Sequence, residues 1–158
     1  MNVSHLSSMF VFLLLALFSN YQDLSAQMQD RDLIQQNWDQ FIENWNALST
    51  EGCISIYTND AVVIAPEMHP ATGKEAIAEF YNFLFTSNKS ADYTHRTESI
   101  TIEGNQAIEY GNFSVDWLSN EDQPWTYHAR VMVHWVKDPS ESWKIQRLLF
   151  NNPPAPEP

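Results

Sequence analysis

The chain of 158 residues carries 20 acidic and 8 basic side chains, which gives a net charge of −12 at neutral pH. Binding a phosphate backbone requires lysine and arginine to neutralise it, so this balance excludes a general surface for nucleic acids or anionic membranes. The single cysteine, Cys53, excludes an intrachain disulfide, and stability must come from a core to which six tryptophans bring large apolar area.

The amino-terminal segment has the pattern of an export signal. Residues 9–18, MFVFLLLALF, are apolar, too few to span a bilayer and typical of a signal-peptide hydrophobic region. Ser25 and Ala26 predict cleavage after Ala26, although no Lys or Arg leads the segment. We therefore expect a signal peptide at residues 1–26 and a periplasmic or secreted protein that is free of the membrane after cleavage. The alternative is an uncleaved anchor.

Helical spacing of apolar residues predicts the first helix at about residues 30–48. The residues of its stripe are Ile34, Trp38, Phe41, Ile42, Trp45 and Leu48. Trp38 and Trp45 either line the floor of a ligand pocket or only anchor the core. A short second helix is expected at about residues 52–57. Tyr57 at its end either points its hydroxyl into a cavity as a donor or packs its ring beneath a sheet.

A buried strand and a capped helix follow. Residues 61–65, AVVIA, form a β-branched apolar run that ends at Pro66. Thr72 precedes Glu75 by three residues, which is the spacing of a capping box. A helical stripe then follows, made by Ile77, Phe80, Tyr81 and Leu84.

This block resembles the SnoaL-like branch of the nuclear transport factor 2-like superfamily. The matching motifs are Tyr57-x-x-Asp60-Ala61 and Gly73-x-x-x-Ile77-x-x-Phe80, followed in order by Gly104 to Ala107, Tyr110-Gly111, Val133 to Trp135 and Trp143 to Ile145. The resemblance implies an α+β cone-shaped roll over residues 27–152, with three N-terminal helices packed on a curved, mostly antiparallel sheet. It also implies a homodimer formed through the sheet. The Pro-rich segment 153–158 is expected to be a disordered tail.

The strongest hairpin signal is the Gly104-Asn105 turn. It predicts a register in which Ile100 pairs with Glu109 and Arg96 with Phe113. Glu109 then lies on the more apolar face, which we assign to the core and cavity, where burial would suit it to act as a catalytic acid or base. Alternatively Glu109 pairs with Arg96, or a register slip turns it to water.

His95 depends on the same register in the opposite sense. It becomes a second catalytic candidate only if the polar face of the hairpin is the concave one, and it is otherwise a half-exposed strand histidine.

The final hairpin turns through residues 138–141, and pairing of Val136 with Trp143 would place Met132 opposite Arg147. Arg130, His134 and Arg147 then share one face, where the arginines could hold a carboxylate or enolate oxygen of a ligand. Alternatively they neutralise acidic residues across the sheet or lie at a subunit interface.

No motif implies a metal or a cofactor, because the histidines lack metal-ligand spacing and no nucleophile elbow is present. The leading prediction is a cavity that binds a small, partly apolar molecule, in one interpretation an anionic one. The alternatives are proton transfer next to a carbonyl, as in ketosteroid isomerases and polyketide cyclases of the superfamily, and a homo-oligomeric assembly module.

Overall fold

The computed structural model describes residues 3–153, with side chains from residue 25 onward. The elements in chain order are α1 (Val3–Asn46), α2 (Thr50–Ile54), β1 (Tyr57–Ile64), β2 (Ala71–Thr72), α3 (Gly73–Thr86), β3 (Asn88–Glu103), β4 (Gln106–Ser119), β5 (Pro124–Lys137) and β6 (Trp143–Asn151). Most of the expected tail, residues 154–158, and the side chains of the expected signal peptide up to residue 24 lie outside this description. Within residues 3–153, no helix combines the length and the apolar character that crossing a membrane requires.

The six strands form one curved sheet in the order β2-β1-β6-β5-β4-β3. Strands β3 to β6 are joined by antiparallel pairs, and β1 pairs with β6 in parallel. Helices α1 and α3 pack on this sheet and α2 packs against both of them, which confirms the predicted α+β roll. The parallel pair of β1 and β6 joins strands that are far apart in the chain. The sequence did not predict it, because only hairpins carry a local turn signal.

The apolar stripe of α1 faces the sheet as predicted, with Ile34, Trp38, Phe41 and Trp45 all buried. The helix begins at Val3, well before the predicted start at about residue 30. It ends at Asn46, earlier than expected, because Leu48 takes a left-handed conformation with φ of 54°. The second helix also lies earlier than predicted. Ser49 caps it by accepting a hydrogen bond from the Gly52 amide, and the chain is already in β1 at Tyr57.

Helix α3 buries Ile77 and Tyr81, so its predicted apolar face is confirmed, and Phe85 extends that face by one turn. The predicted capping box is wrong. Thr72 occupies the N-cap position, but its side chain makes no capping hydrogen bond. The next residue, Gly73, has a φ of 84°, which a residue with a side chain rarely adopts.

The β3–β4 hairpin follows the predicted register only near its turn. Ile102 pairs with Ala107 and Ile100 with Glu109, as predicted. A β-bulge at Glu98 then shifts β3 by one residue, so that His95 instead of Arg96 pairs with Phe113. Beyond the bulge the predicted faces of β3 are therefore exchanged.

The register predicted for the β5–β6 hairpin is wrong by one residue at its turn. Lys137 pairs with Trp143, and a second irregularity beside Trp135 places Leu149 opposite Met132. Inward residues of β5 alternate with outward ones: Val131 and Val133 are buried in the core, whereas Met132 is half exposed.

Candidate functional site: a buried carboxylate and an aromatic cavity

Glu109 is fully buried in the middle of the sheet, yet its carboxylate is surrounded by donors. Trp38 on α1 and Trp135 on β5 donate their indole N–H groups to Oε2 over 2.9 Å and 2.8 Å. Thr97 and His95 on β3 meet Oε1, at 2.6 Å from Thr97 Oγ1 and 2.7 Å from His95 Nε2. We call Trp38, His95, Thr97, Glu109 and Trp135 the Glu109 network. It joins the helix to three strands of the sheet.

The bulge at Glu98 is what completes the Glu109 network. Without it, Thr97 and His95 would face away from Glu109, because successive strand residues alternate between faces. The bulge brings the backbone of β3 close to Gly111 on β4, where a Cβ atom added to the glycine would lie 2.5 Å from the carbonyl oxygen of Arg96. Gly111 is therefore required by this close approach.

Burial alone raises the pKa of Glu109, but its hydrogen bond to His95, the charge interaction with His95 and the hydrogen bonds from Thr97 and Trp38 outweigh burial and lower that pKa. The carboxylate is therefore ionised at neutral pH, and His95 Nε2 must donate to it. Trp38 stacks on the His95 ring, with centroids 3.9 Å apart. The other ring nitrogen, Nδ1, is buried and has no hydrogen-bond partner among the described residues.

A separate aromatic cavity of about 330 Å³ opens between the helices and the sheet. Ten of its eighteen lining residues are aromatic, namely Phe41, Trp45, Phe80, Tyr81, Tyr93, Phe113, Trp117, Trp125, Tyr127 and Phe150. The other lining residues are Ala65, Pro66, Glu67, Met68, Leu84, Val115, Leu148 and Asn152. Flat apolar surfaces of this kind suit a compact hydrophobic ligand.

Some polar groups around the aromatic cavity are already paired, but the buried indole N–H of Trp45 has no hydrogen-bond partner among the described residues. The Tyr81 hydroxyl hydrogen-bonds to that of Tyr57, and the Tyr127 hydroxyl donates to Asn152 over 2.7 Å. Burial raises the pKa of Tyr81 and of Tyr93 well above the ordinary value, so both phenols are neutral. The cavity therefore holds no group with the properties of a catalytic base at neutral pH other than the carboxylate of Glu67, which is exposed.

The predicted site residues on the inner side of the sheet divide between the two features. Trp45 lines the aromatic cavity. Trp38, His95 and Glu109 belong to the network and do not line that cavity. Tyr57 is buried beneath it, with its hydroxyl engaged by Tyr81. The prediction that Glu109 and His95 could not share a face is wrong, because the bulge brings them together.

Arg130, His134 and Arg147 do share one face as predicted, but it is the outer face of the sheet. They alternate with the buried inward residues, so they cannot hold a ligand in the aromatic cavity. The His134 ring lies 3.1 Å from the Gln106 side chain, and Arg147 donates to the carbonyl oxygen of Gln146 over 2.7 Å. These residues therefore do not form the predicted anion-binding site in this cavity.

Sequence reasoning missed Trp125, Tyr127 and Trp135 as site residues. Their signal was the alternation along β5, in which large aromatics occur at odd-numbered positions at both ends of the strand. It also missed Thr97, for which the only signal was Gly111, since a glycine inside a strand often marks a bulge. Among the described residues, no three His, Cys, Asp or Glu side chains cluster as a metal site would require.

Comparison with known proteins identifies the domain. A family model described as a SnoaL-like domain matches residues 38–139. No curated protein matches the sequence. Among solved structures, a nuclear transport factor 2-like superfamily protein from Salmonella enterica is 15% identical with a TM-score of 0.75, covering 83% of this chain and 96% of its own.

Two further solved structures have the same fold. A ketosteroid isomerase-like protein from Erwinia carotovora is 17% identical with a TM-score of 0.67, covering 79% of this chain and 96% of its own. A hexachlorocyclohexane dehydrochlorinase of type 2 is 13% identical with a TM-score of 0.71, covering 80% of this chain and 86% of its own. At these identities the likeness extends to the fold and not to the chemistry.

Proposed function

The chain belongs to the SnoaL-like domain family, and we propose that it binds a small, largely apolar molecule in the aromatic cavity. The observation that carries this proposal is the cavity wall, which is open, mostly aromatic and poor in free polar groups. The buried Tyr81 hydroxyl is bonded to Tyr57, and the buried indole N–H of Trp45 has no hydrogen-bond partner among the described residues. Burying a hydrophobic ligand there gains about 25 cal/mol for each Å² removed from water. Specificity then comes from shape and from contacts with the aromatic rings.

A fluorescent apolar probe, N-phenyl-1-naphthylamine, tests this proposal. We expect it to bind the full chain, and we expect Leu84→Trp, which fills the cavity from α3, to weaken binding at least tenfold. Leu149→Trp makes the same change on the outer face, where Leu149 is 45% exposed, and should leave binding unchanged. Equal binding by both variants, or none by the wild type, would remove the proposal.

A second candidate function is proton transfer next to a carbonyl, with His95 as the base. One observation favours it: His95 Nε2 is held by Glu109, while Nδ1 is left without a partner among the described residues. A histidine oriented by a carboxylate is a common arrangement for a general base. Against it, His95 does not line the aromatic cavity, so a substrate would first have to open a path to Nδ1.

Deuterium incorporation next to the carbonyl of 1-tetralone, followed by NMR, distinguishes this candidate from binding alone. Catalysis by His95 predicts exchange above the buffer rate that is lost in His95→Asn and kept in His128→Asn, a change on the outer face. Exchange at the buffer rate in the wild type would leave binding as the function.

We further propose a homodimer formed through the outer face of the sheet. The half-exposed side chains of Tyr110, Met132, Leu149 and Ile64 are paired in succession across β4, β5, β6 and β1, and form one apolar row. Arg130 and Glu98 flank this row on the same face, so a twofold contact can pair opposite charges.

Light scattering tests the homodimer and should give twice the mass of the chain. Met132→Lys should halve the measured mass, whereas Phe83→Lys on α3 should not. A wild-type monomer would refute this proposal.

Export also remains a proposal, supported by the apolar run at residues 9–18 and the small residues before position 27. It divides the chain into a signal at 1–26, a domain at 27–152 and the tail that follows. Expression in a bacterium and sequencing of the mature amino terminus is the test. A start at Gln27 in the periplasm or medium supports export, and an intact Met1 in the cytoplasm contradicts it.

A further inference from the structure

The charges around the aromatic cavity indicate what kind of ligand it prefers. Glu67 is the one lining residue that is charged at neutral pH, and the lining contains no Lys, Arg or His. Glu67 lies at the mouth, in the turn after β1, and is exposed to solvent. The chain as a whole carries a net charge of −12. An anion entering the cavity would meet no positive group on the wall and a negative carboxylate at the opening.

The aromatic wall itself is suited to a positive charge. Ring faces carry negative electrostatic potential, and cations held over several rings are attracted to it, most strongly over tryptophan. Trp117 and Trp125 lie stacked at one side, with centroids 5.7 Å apart, and Tyr93 and Phe113 lie stacked at 5.3 Å. Trp125 is 42% exposed, so its ring extends to the mouth, where a ligand enters.

The tyrosines add aromatic rings without adding charge. Burial raises the pKa of Tyr81 and of Tyr93 and so holds both phenols in the neutral form. Their neutral rings keep the electron-rich faces that attract cations. An organic cation also needs fewer water molecules removed than a compact ammonium, because alkyl groups spread and shield its charge.

Resting on the proposed binding function, we propose that the preferred occupant is an organic cation: a tertiary or quaternary ammonium group attached to a compact apolar body. The ammonium group lies against the aromatic rings near Trp125, with the carboxylate of Glu67 as its counter-charge. The apolar body fills the inner part of the cavity. No covalent step is involved.

Three probes of matched shape test the charge preference directly. Phenyltrimethylammonium, tert-butylbenzene and benzenesulfonate share a phenyl ring with a tetrahedral head and differ in charge, positive, neutral and negative. Titration calorimetry on the full chain should show the cation binding at least fivefold more tightly than the neutral probe. The anion should bind more weakly than either.

Two variants test which residues cause the preference for the cation. Trp125→Leu should reduce the preference for the cation over the neutral probe at least threefold, and Glu67→Gln should reduce it by about twofold to threefold because that carboxylate is exposed. Phe83→Leu removes an exposed aromatic ring from α3 outside the cavity and should change nothing.

The outcomes separate the two proposals. If tert-butylbenzene binds as tightly as the cation, or benzenesulfonate more tightly, the charge preference is refuted and the apolar binding function stands. If none of the three probes and no N-phenyl-1-naphthylamine binds, both are refuted. If the cation is preferred but the preference survives in Trp125→Leu and Glu67→Gln alike, binding occurs elsewhere and the inference fails.

Discussion

The Glu109 network and the aromatic cavity are built by the same helix and the same sheet but have opposite characters. Around Glu109, four donors close on one carboxylate, and the group is sealed from solvent. In the cavity, aromatic rings enclose empty space, and the pairing of Tyr81 with Tyr57 uses up polar groups that could have faced a ligand. The residues with the most reactive side chains are thus the ones least available to a ligand.

This contrast shows that a buried carboxylate beside a histidine does not by itself mark a catalytic site. An ionised group in the core costs several kcal/mol unless it is fully hydrogen-bonded, and the Glu109 network supplies that compensation. It also joins Trp38 on α1 to Trp135 on β5. We interpret the network as a device that fixes the helix over the sheet and thereby keeps the cavity open.

The largest effect should come from Glu109→Gln. Glutamine has the same shape, but its amide nitrogen must face two donors and the charge that interacts with His95 is lost. We expect the free energy of unfolding to fall by about 3 kcal/mol, measured by urea denaturation. Glu103→Gln, an exposed change in the same hairpin, should stay within about 0.5 kcal/mol. A change below about 1 kcal/mol at Glu109 would mean that the network stabilises little.

Gly111→Ala should have the next largest effect. The new methyl group would meet the Arg96 carbonyl, so the bulge must shift and carry Thr97 and His95 away from Glu109. We expect a loss of about 2 kcal/mol in the same measurement. Ile108→Ala, at an exposed outward position of the same strand, is the control. A stability equal to the wild type would show that the strands relax without cost.

Acidic pH should remove part of the stabilisation that Glu109→Gln removes. Because the pKa of Glu109 is lowered in the folded chain from its ordinary value of 4.5, the folded state binds fewer protons than the unfolded chain. The stabilisation is therefore present above about pH 4.5 and is lost as the pH falls through the folded pKa. Urea titrations from about pH 7 to about pH 3 should show the wild type and Glu109→Gln converging. A constant difference would mean that the Glu109 carboxylate is not the group that titrates.

Thr97→Val deletes a single donor and keeps the shape of the side chain. We expect a loss of about 1 kcal/mol, because three donors still reach the carboxylate. Thr101→Val, on the exposed side of the same strand, should be neutral. If Thr97→Val costs as much as Glu109→Gln, the network acts as one unit that fails when any donor is lost.

The smallest effect on stability should come from Leu84→Trp in the aromatic cavity. The added ring enters open space, so unfolding should change by less than about 1 kcal/mol even though ligand binding is lost. A large destabilisation would mean that the cavity closes in solution. The pair of Leu84→Trp and Glu109→Gln then separates the binding region from the stabilising one.

The sequence predicted the elements better than it predicted the site. The stripes of α1 and α3 and the turn at Gly104 are local patterns, and the structure confirms them. The bulge at Glu98 could not be predicted from the local sequence, because it depends on Gly111, a residue without a side chain on the neighbouring strand. The one-residue shift at this bulge places His95 on the opposite face of the sheet from the one predicted.

The outward placement of Arg130 and His134 had a clear signal in the alternation of β5. The predicted anion site rested on the shared face of these residues and on the chemistry of arginine, neither of which shows which face lines the cavity. The donors from Trp38 and Trp135 had no signal at all. An apolar stripe indicates that an indole ring is buried and does not indicate where its N–H points.

The six indole N–H groups provide the most direct test of a binding cavity that is separate from the Glu109 network. Trp45, Trp117 and Trp125 line the aromatic cavity, whereas Trp38 and Trp135 bind Glu109 and Trp143 binds Asp30. We would record the ¹H–¹⁵N indole signals during titration with N-phenyl-1-naphthylamine. We predict that the signals of Trp117 and Trp125 move with ligand while those of Trp38 and Trp135 stay in place. Movement of Trp38 and Trp135 with the cavity signals unchanged would contradict this separation and return the functional site to Glu109.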